Sequence, residues 1–296
     1  MPDGCHRLRA WLDPRKVSAF GHRTSVPVRS APVWRREWLS PSRRRGTSAC
    51  RIVRMRAVPF AEIRRGRVTV SYERETLRRE DAVEFAALAA RGLREIERIT
   101  GSNSRHRLRF EVRGSTRIST ARGRTIELPT FRVAARSAPY LHEIAHTLLP
   151  CRNAPAWFSE GLASFLEAHI SESGAGYDSH LFTAGGNRGV HADAARWLSD
   201  LRGRRVLPFV GTRGMPRDLV TDRHNVAAPF YVLSHSLVKF LADRTGVPGI
   251  IRLARARTYA HTVRRISGKS SAALRSEWLE LLAQVAPPAS SEPISL

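Results

Sequence analysis

The spacing of apolar residues changes along the chain, and its first part predicts a strand, a helix and two more strands. Val68, Val70 and Tyr72 recur at every second position, which is typical of a strand with one buried face. A helical spacing follows and stops at Gly101, and Pro129 interrupts the last strand. These elements are predicted at residues 67–72, 81–100, 108–112 and 125–133.

Two strongly apolar helices are predicted next, with a short turn between them. In the first, apolar side chains recur at helical spacing from Leu141 to Leu149. Ser137 can cap its beginning, and Pro150 ends it. The second helix follows an Arg-Asn-Ala-Pro turn and contains the segment 157–163, in which large apolar groups surround one carboxylate.

The pattern after these two helices is again mainly helical. Residues 171–227 are rich in Gly, Ser, Arg and Asp, which predicts loops and one short helix. An amphipathic helix then ends at Gly246, and shorter helices follow. These helices are predicted at residues 191–201, 230–245, 248–257 and 271–284. The predicted fold class is α+β, with a small N-terminal sheet and helix before a mainly helical C-terminal part.

Composition separates the N-terminal segment from the rest of the chain. Residues 1–54 carry thirteen Arg or Lys against three acids and show no lasting periodicity. This segment is interpreted as a disordered basic arm or as sequence upstream of a true start at Met55, and an arm for an acidic partner is a further alternative. One domain is predicted at 55–286, with a flexible tail at 287–296.

Charge and cysteine content limit the classes of function. The net charge of +24 favours non-specific attraction to anions, but no nucleic-acid motif accompanies it, so no specific nucleic acid is expected. Neither a signal peptide nor an apolar run long enough to span a membrane is evident, which predicts a cytoplasmic protein, with export by an unmarked route as the alternative. Cys5, Cys50 and Cys151 are scattered, which argues against a disulfide framework or a thiolate metal site.

The first of the two apolar helices carries a His-Glu-x-x-His pattern at residues 142–146. Residues four apart lie on one face of a helix, so His142 and His146 can offer their imidazoles to one metal ion. Glu143 can then reach a water molecule bound to that ion. The pattern therefore predicts a metal site with an adjacent acid–base group.

The second helix supplies a third candidate ligand. Glu160 stands among apolar residues, and a buried carboxylate is costly unless a cation or hydrogen bonds compensate it. Two imidazoles and one carboxylate, with a fourth position open to water, form a catalytic zinc set. We therefore expect one Zn²⁺ per chain, held by His142, His146 and Glu160.

Together these motifs resemble those of the gluzincin metallopeptidases, specifically the peptidase MA-like family. The resemblance is carried by residues 142–146 and by Trp-Phe-Ser-Glu-Gly-Leu-Ala at 157–163. It implies zincin-like active-site helices and a zinc-dependent peptidase, in which a metal-activated water attacks the peptide bond and Glu143 is the general base. In this family a Tyr or His from a later helix stabilises the oxyanion, which makes Tyr231 the first candidate here and His235 the second.

Two further expectations concern the surroundings of this site. Glu167 can orient an imidazole of the metal pair, although a solvated acid is the favoured interpretation. Thermolysin-like sites often place an acid four residues after the third ligand, a position that Ser164 occupies here. An extended peptide is expected to pair with an edge strand of the sheet, and the last strand before the metal helix is the natural candidate.

Two other classes of function stay open at the level of sequence. One is a non-catalytic, zinc-stabilised module that binds peptides or partner proteins. The other is a basic nucleic-acid-binding protein, which would show steep salt dependence. The favoured partner is a peptide or protein substrate, without a membrane span, and the sequence leaves the oligomeric state open.

Overall fold

A small mixed sheet leads the described part of the chain, and helices make up nearly all of the rest. The computed structural model describes residues 60–102, 105, 107–174, 177, 183, 186–219 and 225–285, which belong to a single compact unit. The predicted arm at 1–54 and the predicted tail at 287–296 lie outside these residues. The α+β prediction, with a small N-terminal sheet before a mainly helical part, is confirmed.

The sheet has five strands in the order β1-β2-β3-β5-β4. Its strands are β1 (Phe60–Arg65), β2 (Val68–Glu73), β3 (Leu108–Arg113), β4 (Thr120–Arg122) and β5 (Thr125–Pro129). The three central strands β2, β3 and β5 are parallel, and β1 and β4 pair antiparallel at the two ends. Strands β2, β3 and β5 were predicted from alternation, whereas β1 and β4 were not.

The first long helix, α1 (Arg79–Thr100), covers the apolar face of this sheet. Val68, Val70 and Tyr72 are buried together, as the alternation predicts. Phe85 of α1 makes edge-to-face contacts with two aromatic rings, those of Phe110 and Tyr140. Gly101 ends α1 in the left-handed conformation, as expected at the end of a helix.

The last strand before the metal helix, the natural candidate for pairing with a peptide, is not an edge of the sheet. That strand is β5, and it is paired on both sides, with β3 and with β4. The terminal strand on this side is the three-residue β4, which packs against the helix that carries the His-Glu-x-x-His pattern. Sequence order could not reveal this, because the chain reaches the edge before it turns back into the sheet.

The extended structure predicted at 130–133 is also wrong, because these residues form the short helix α2 (Thr130–Ala134). Pro129 closes β5 and precedes the helix with an extended backbone, a conformation that its ring allows. The β-favouring side chains of Phe131 and Val133 are overridden by the need to turn the chain away from the sheet.

The metal-site pattern lies on α3 (Tyr140–Leu148) and the following motif on α4 (Ala156–Ser171). Both helices were predicted, but the predicted cap was not observed. Pro139 precedes α3 without a side-chain cap, and the Ser137 hydroxyl instead donates to the carbonyl of Arg132 at 3.5 Å. Ser137 therefore stabilises the turn after α2 rather than the beginning of α3.

The C-terminal helices pack around α4 and against one another. They are α5 (Gly186–Ser199), α6 (Leu201–Val206), α7 (Ala227–Ala254), α8 (Tyr259–Ser267) and α9 (Ser271–Val285). The predicted end at Gly246 is a break inside α7, where φ is 70° and ψ is 165°. Helices α6 and α8 and the first residues of α5 were not predicted. Within the described residues, no helix is both long enough and apolar enough to cross a membrane.

Helices α4 and α7 approach closely at Gly161, immediately after Glu160. A Cβ atom placed on Gly161 would lie 2.3 Å from the carbonyl oxygen of Ser234 and 2.9 Å from a methyl group of Val238. Only a glycine allows this contact, so the residue sets the depth at which the Glu160 carboxylate is held against α7.

We expect Gly161→Ala to lower the free energy of unfolding by about 2–3 kcal/mol, because overpacking against backbone cannot be relieved by a rotamer change. Urea unfolding of the purified chain measures this value. Gly189→Ala on α5 is the matched control, since a Cβ atom there meets nothing within 4 Å. The control should leave stability unchanged or raise it by up to about 1 kcal/mol. Equal effects of the two substitutions would contradict the close-packing explanation.

Candidate metal centre

Helices α3 and α4 bring three predicted ligands to one point. The Nε2 atoms of His142 and His146 are 3.0 Å apart, and they lie 3.2 Å and 3.3 Å from Oε2 of Glu160. His142 and Glu160 are buried, and His146 is partly exposed. Among the described residues, this is the group of His, Cys, Asp and Glu side chains that could hold a metal ion.

The separations fit a metal ion that binds all three atoms. Zinc–nitrogen and zinc–oxygen bonds of about 2.0–2.1 Å at tetrahedral angles place neighbouring ligand atoms about 3.3 Å apart. The three observed distances, 3.0–3.3 Å, match this value. Two imidazole nitrogens that point at one carboxylate oxygen form a donor set of the kind that zinc prefers. The residues present therefore fit a bound divalent cation.

The electrostatics of the cluster also favour a cation. Burial alone would raise the pKa of Glu160, but the charge of His146 and hydrogen bonds from both imidazoles bring it well below its usual range. Burial disfavours a charged imidazole at His146, yet Glu160 raises the pKa of His146 to about 9. Without a metal, His146 therefore holds a proton at neutral pH, and metal binding must displace it.

Glu143 lies on α3 directly after His142, and its side chain is largely buried. Burial raises the pKa of its carboxyl group, and the nearby imidazoles of His142 and His146 partly oppose this change. Glu160 acts on Glu143 in the same direction as burial. Glu143 is thus within electrostatic range of all three candidate ligands, and its raised pKa makes it a better proton acceptor than an exposed carboxylate.

Helix α4 also supplies the groups behind both imidazoles. The Ser159 hydroxyl is 3.4 Å from Nδ1 of His146. Oε2 of Glu167 is 4.0 Å from Nδ1 of His142, a buried nitrogen that has no hydrogen-bond partner among the described residues. Residues 160 and 167 are seven apart, so both face α3 from the same side of α4.

The favoured interpretation of Glu167 as a solvated acid is wrong, because its side chain is only 4% exposed. Its charge also acts on the guanidinium of Arg132 and on the phenol of Tyr140. Glu167 is therefore a buried carboxyl group of α4 that lies near α3. Sequence alone could not predict the burial of Glu167 near His142, because thermolysin-like sites carry their acid at the position of Ser164, one turn earlier in the chain.

We expect Glu167→Gln to weaken zinc affinity by about 10–100-fold, because a carboxylate behind a metal-bound imidazole orients the ring and raises its basicity. Competition with a fluorescent zinc chelator measures the dissociation constant. Ser159→Ala is the matched comparison, since it removes a neutral partner of the other imidazole and should have the smaller effect. Unchanged affinity in Glu167→Gln would show that the carboxylate does not support His142.

The two predicted oxyanion candidates lie four residues apart on α7 in different surroundings. Tyr231 is buried, and its ring centroid is 5.9 Å from that of His142. His235 is buried as well, and its Nε2 donates to Oδ1 of Asn187 at 2.7 Å. The amide nitrogen of Asn187 donates in turn to the carbonyl of Phe165. These two hydrogen bonds connect His235 of α7 with α5 and α4. The structure brings Tyr231 beside the metal cluster and links His235 to Asn187.

The remaining candidate groups take structural positions. Cys151 is a buried free thiol, and burial raises its pKa to about 12. His191 of α5 shares the hydroxyl of Ser236 with the indole of Trp278, a contact that ties α5, α7 and α9 together. His180 and His224 lie outside the described residues.

Comparison with known proteins leaves the family assignment as a prediction. No family model matches the chain, and a search of curated proteins finds no match either. The fold and the site therefore define an α+β protein with a buried His–His–Glu group that could bind a metal ion.

Proposed function

We propose that this protein is a zinc-dependent peptidase. The observation that supports the proposal best is the convergence of His142 Nε2, His146 Nε2 and Glu160 Oε2 to within 3.3 Å of one another. These residues would hold the zinc ion, and Glu143 follows the first of them on the same helix. A purely structural role for two histidines and one glutamate would not require a second buried carboxyl group, that of Glu143, beside them.

A zinc ion held by His142, His146 and Glu160 would lower the pKa of a bound water molecule to about 7 and would polarise the carbonyl group of the substrate. Glu143 takes the proton from the attacking water and delivers it to the leaving amine. Its raised pKa suits both steps, because the group must accept a proton and then release it. The hydroxyl of Tyr231 donates to the developing oxyanion, a contribution worth roughly 3–4 kcal/mol for such donors.

The edge strand β4 is the proposed place for the peptide backbone. It is the terminal strand of the sheet on the side that packs against α3. An extended peptide laid along β4 would continue the ladder of backbone hydrogen bonds, which holds the scissile bond in a fixed direction. The strand proposed to pair with the peptide backbone is therefore β4 rather than β5.

Metal analysis and a hydrolysis assay test the proposal together. Purified full-length protein should contain about one zinc per chain and cleave members of a library of internally quenched peptides. Removal of the metal with a chelator should abolish cleavage, and added Zn²⁺ should restore it. A zinc-free protein that is folded and stable would contradict the metal site. A zinc-loaded protein that binds peptides without cleaving them would instead be the non-catalytic zinc module.

A further inference from the structure

Arginines outnumber acids at the edge of the sheet beside the metal helix, where Glu127 of β5 pairs with Thr120 of β4 and lies on the same face as Arg122. Residues 112–126 contain four arginines and neither Asp nor Glu. Arg113 forms an ion pair with Glu111. Arg117, Arg122 and Arg124 are exposed, and none of them forms an ion pair with a described acid. This side of the sheet therefore presents three positive charges that the described part of the chain does not neutralise.

The opposite edge of the sheet is different. Strand β1 carries its own acid, Glu62, which forms ion pairs with Arg64 and with Arg109 of β3. Strand β1 carries two arginines against this one acid, so Glu62 neutralises part of its charge. The two edges differ in that Arg64 has an ion-pair partner on its own strand, whereas Arg122 of β4 has none among the described acids.

The register of β4 shows where its charged side chain points. Ala121 pairs with Ile126, which is fully buried, so Ala121 faces the core. Arg122 pairs with Thr125, and successive residues of a strand point to opposite faces, so Arg122 lies on the face away from α1. Arg117 and Arg124 precede and follow the strand. A peptide strand laid along β4 would have alternate side chains on the face of Arg122.

We infer that the substrates of this site are peptides with acidic side chains on the residues that lie along β4. This inference rests on the proposed peptidase function and specifies its substrate class. Asp or Glu side chains beside Arg117, Arg122 and Arg124 form ion pairs, and the guanidinium group can hold a carboxylate through two hydrogen bonds. The free backbone edge favours a polypeptide over a nucleic acid, because only an extended peptide matches its alternating donors and acceptors.

Exposed ion pairs are weak, so the expected preference is moderate. Each Arg–carboxylate pair at an exposed site corresponds to about a two- to fivefold effect, and three pairs together to roughly tenfold or more. Because salt screens such pairs, the preference should shrink as ionic strength rises from about 0.05 M to about 0.5 M.

The experiment compares internally quenched peptides that differ only in Glu, Gln or Lys at each position flanking the scissile bond. We expect kcat/KM to be higher for Glu than for Gln by about twofold at single positions and by about tenfold for three acids. The ratio of Glu to Gln for the peptide with three acids should fall by about twofold in Arg122→Gln and towards one in the triple variant R117Q/R122Q/R124Q. Arg264→Gln is the matched control, because Arg264 is an exposed arginine on α8. It should retain the full preference.

Binding measured without turnover separates this inference from the peptidase proposal. Fluorescence anisotropy of the same labelled peptides with the Glu143→Gln protein should show the same preference for Glu over Gln. Binding that favours the Glu peptides and depends on Arg122, without cleavage by the wild-type protein, would reject the peptidase proposal. It would still support recognition of acidic peptides along β4. Equal values for Glu and Gln peptides in both assays would overturn the inference. A preference for Glu peptides that survives the triple variant would also overturn it. The same holds if a single-stranded DNA oligonucleotide binds in an Arg122-dependent way while the Glu and Gln peptides bind equally.

Discussion

Replacement of Glu143 with Gln is expected to lower peptide hydrolysis by about 10²–10⁴-fold while the protein keeps its zinc. Gln has nearly the same shape as Glu but cannot accept the proton of the attacking water. The zinc ligands are His142, His146 and Glu160 in the proposal, so the substitution leaves all three in place. The measurement is kcat/KM on a peptide that the wild type cleaves, together with the zinc content of the same preparation.

The control for this experiment is Glu280→Gln, which makes the same chemical change at an exposed position on α9. It should retain both activity and zinc. Because Glu143 is buried, a folding defect must also be excluded, and equal thermal unfolding temperatures for the two zinc-loaded variants would do so. Full activity in Glu143→Gln would reject Glu143 as the general base, and the catalytic proposal would then need another acid–base group.

Replacement of Glu160 with Gln is expected to reduce bound zinc from about one per chain to a small fraction after dialysis. A neutral amide oxygen is a much poorer zinc ligand than a carboxylate, and only the two imidazoles would remain. In the metal-free protein the charge of Glu160 also raises the pKa of His146 to about 9, so its removal should lower that pKa towards the ordinary value. Metal analysis and NMR titration of His146 measure these two changes separately.

The comparison variant for Glu160→Gln is His261→Ala, which removes an exposed histidine of α8 that lies outside the cluster. Its zinc content should equal that of the wild type. Full retention of zinc in Glu160→Gln would show that the third ligand is a different group, and the 3.2 Å and 3.3 Å contacts of Glu160 would then be hydrogen bonds only. Loss of zinc in both variants would point to non-specific binding by histidines.

The sequence pattern predicted the elements that have a clear apolar period. Helix α1 ends at Gly101 as expected, and β2 buries Val68 and Val70 as the alternation requires. Strand β1 was missed because its sequence, Phe-Ala-Glu-Ile-Arg-Arg, is half charged and belongs to an edge with an exposed face. Strand β4 was missed because three residues cannot show a period. In each case the strand forms because a neighbouring strand supplies hydrogen-bond partners.

The sequence predicted the positions of some residues of the candidate site but not of others. The spacing of His142 and His146 on one helix follows from helical geometry alone, and the structure brings both to Glu160. Glu167 could not be assigned in the same way, because its burial depends on how α4 packs against α3. The contact of His235 with Asn187 joins residues 48 apart in the chain, and no local pattern records such a pairing.

The sequence by itself determined which helices carry the candidate ligands, because a period of 3.6 residues places side chains on a helix face without reference to the rest of the molecule. Only the tertiary structure decided that β4 rather than β5 is the edge beside α3, and that Glu167 is buried behind His142 rather than solvated. It also decided that Gly161 brings α4 against the backbone of α7. These features depend on contacts between distant segments, and the free energy of such contacts comes from packing the whole domain rather than from any one segment.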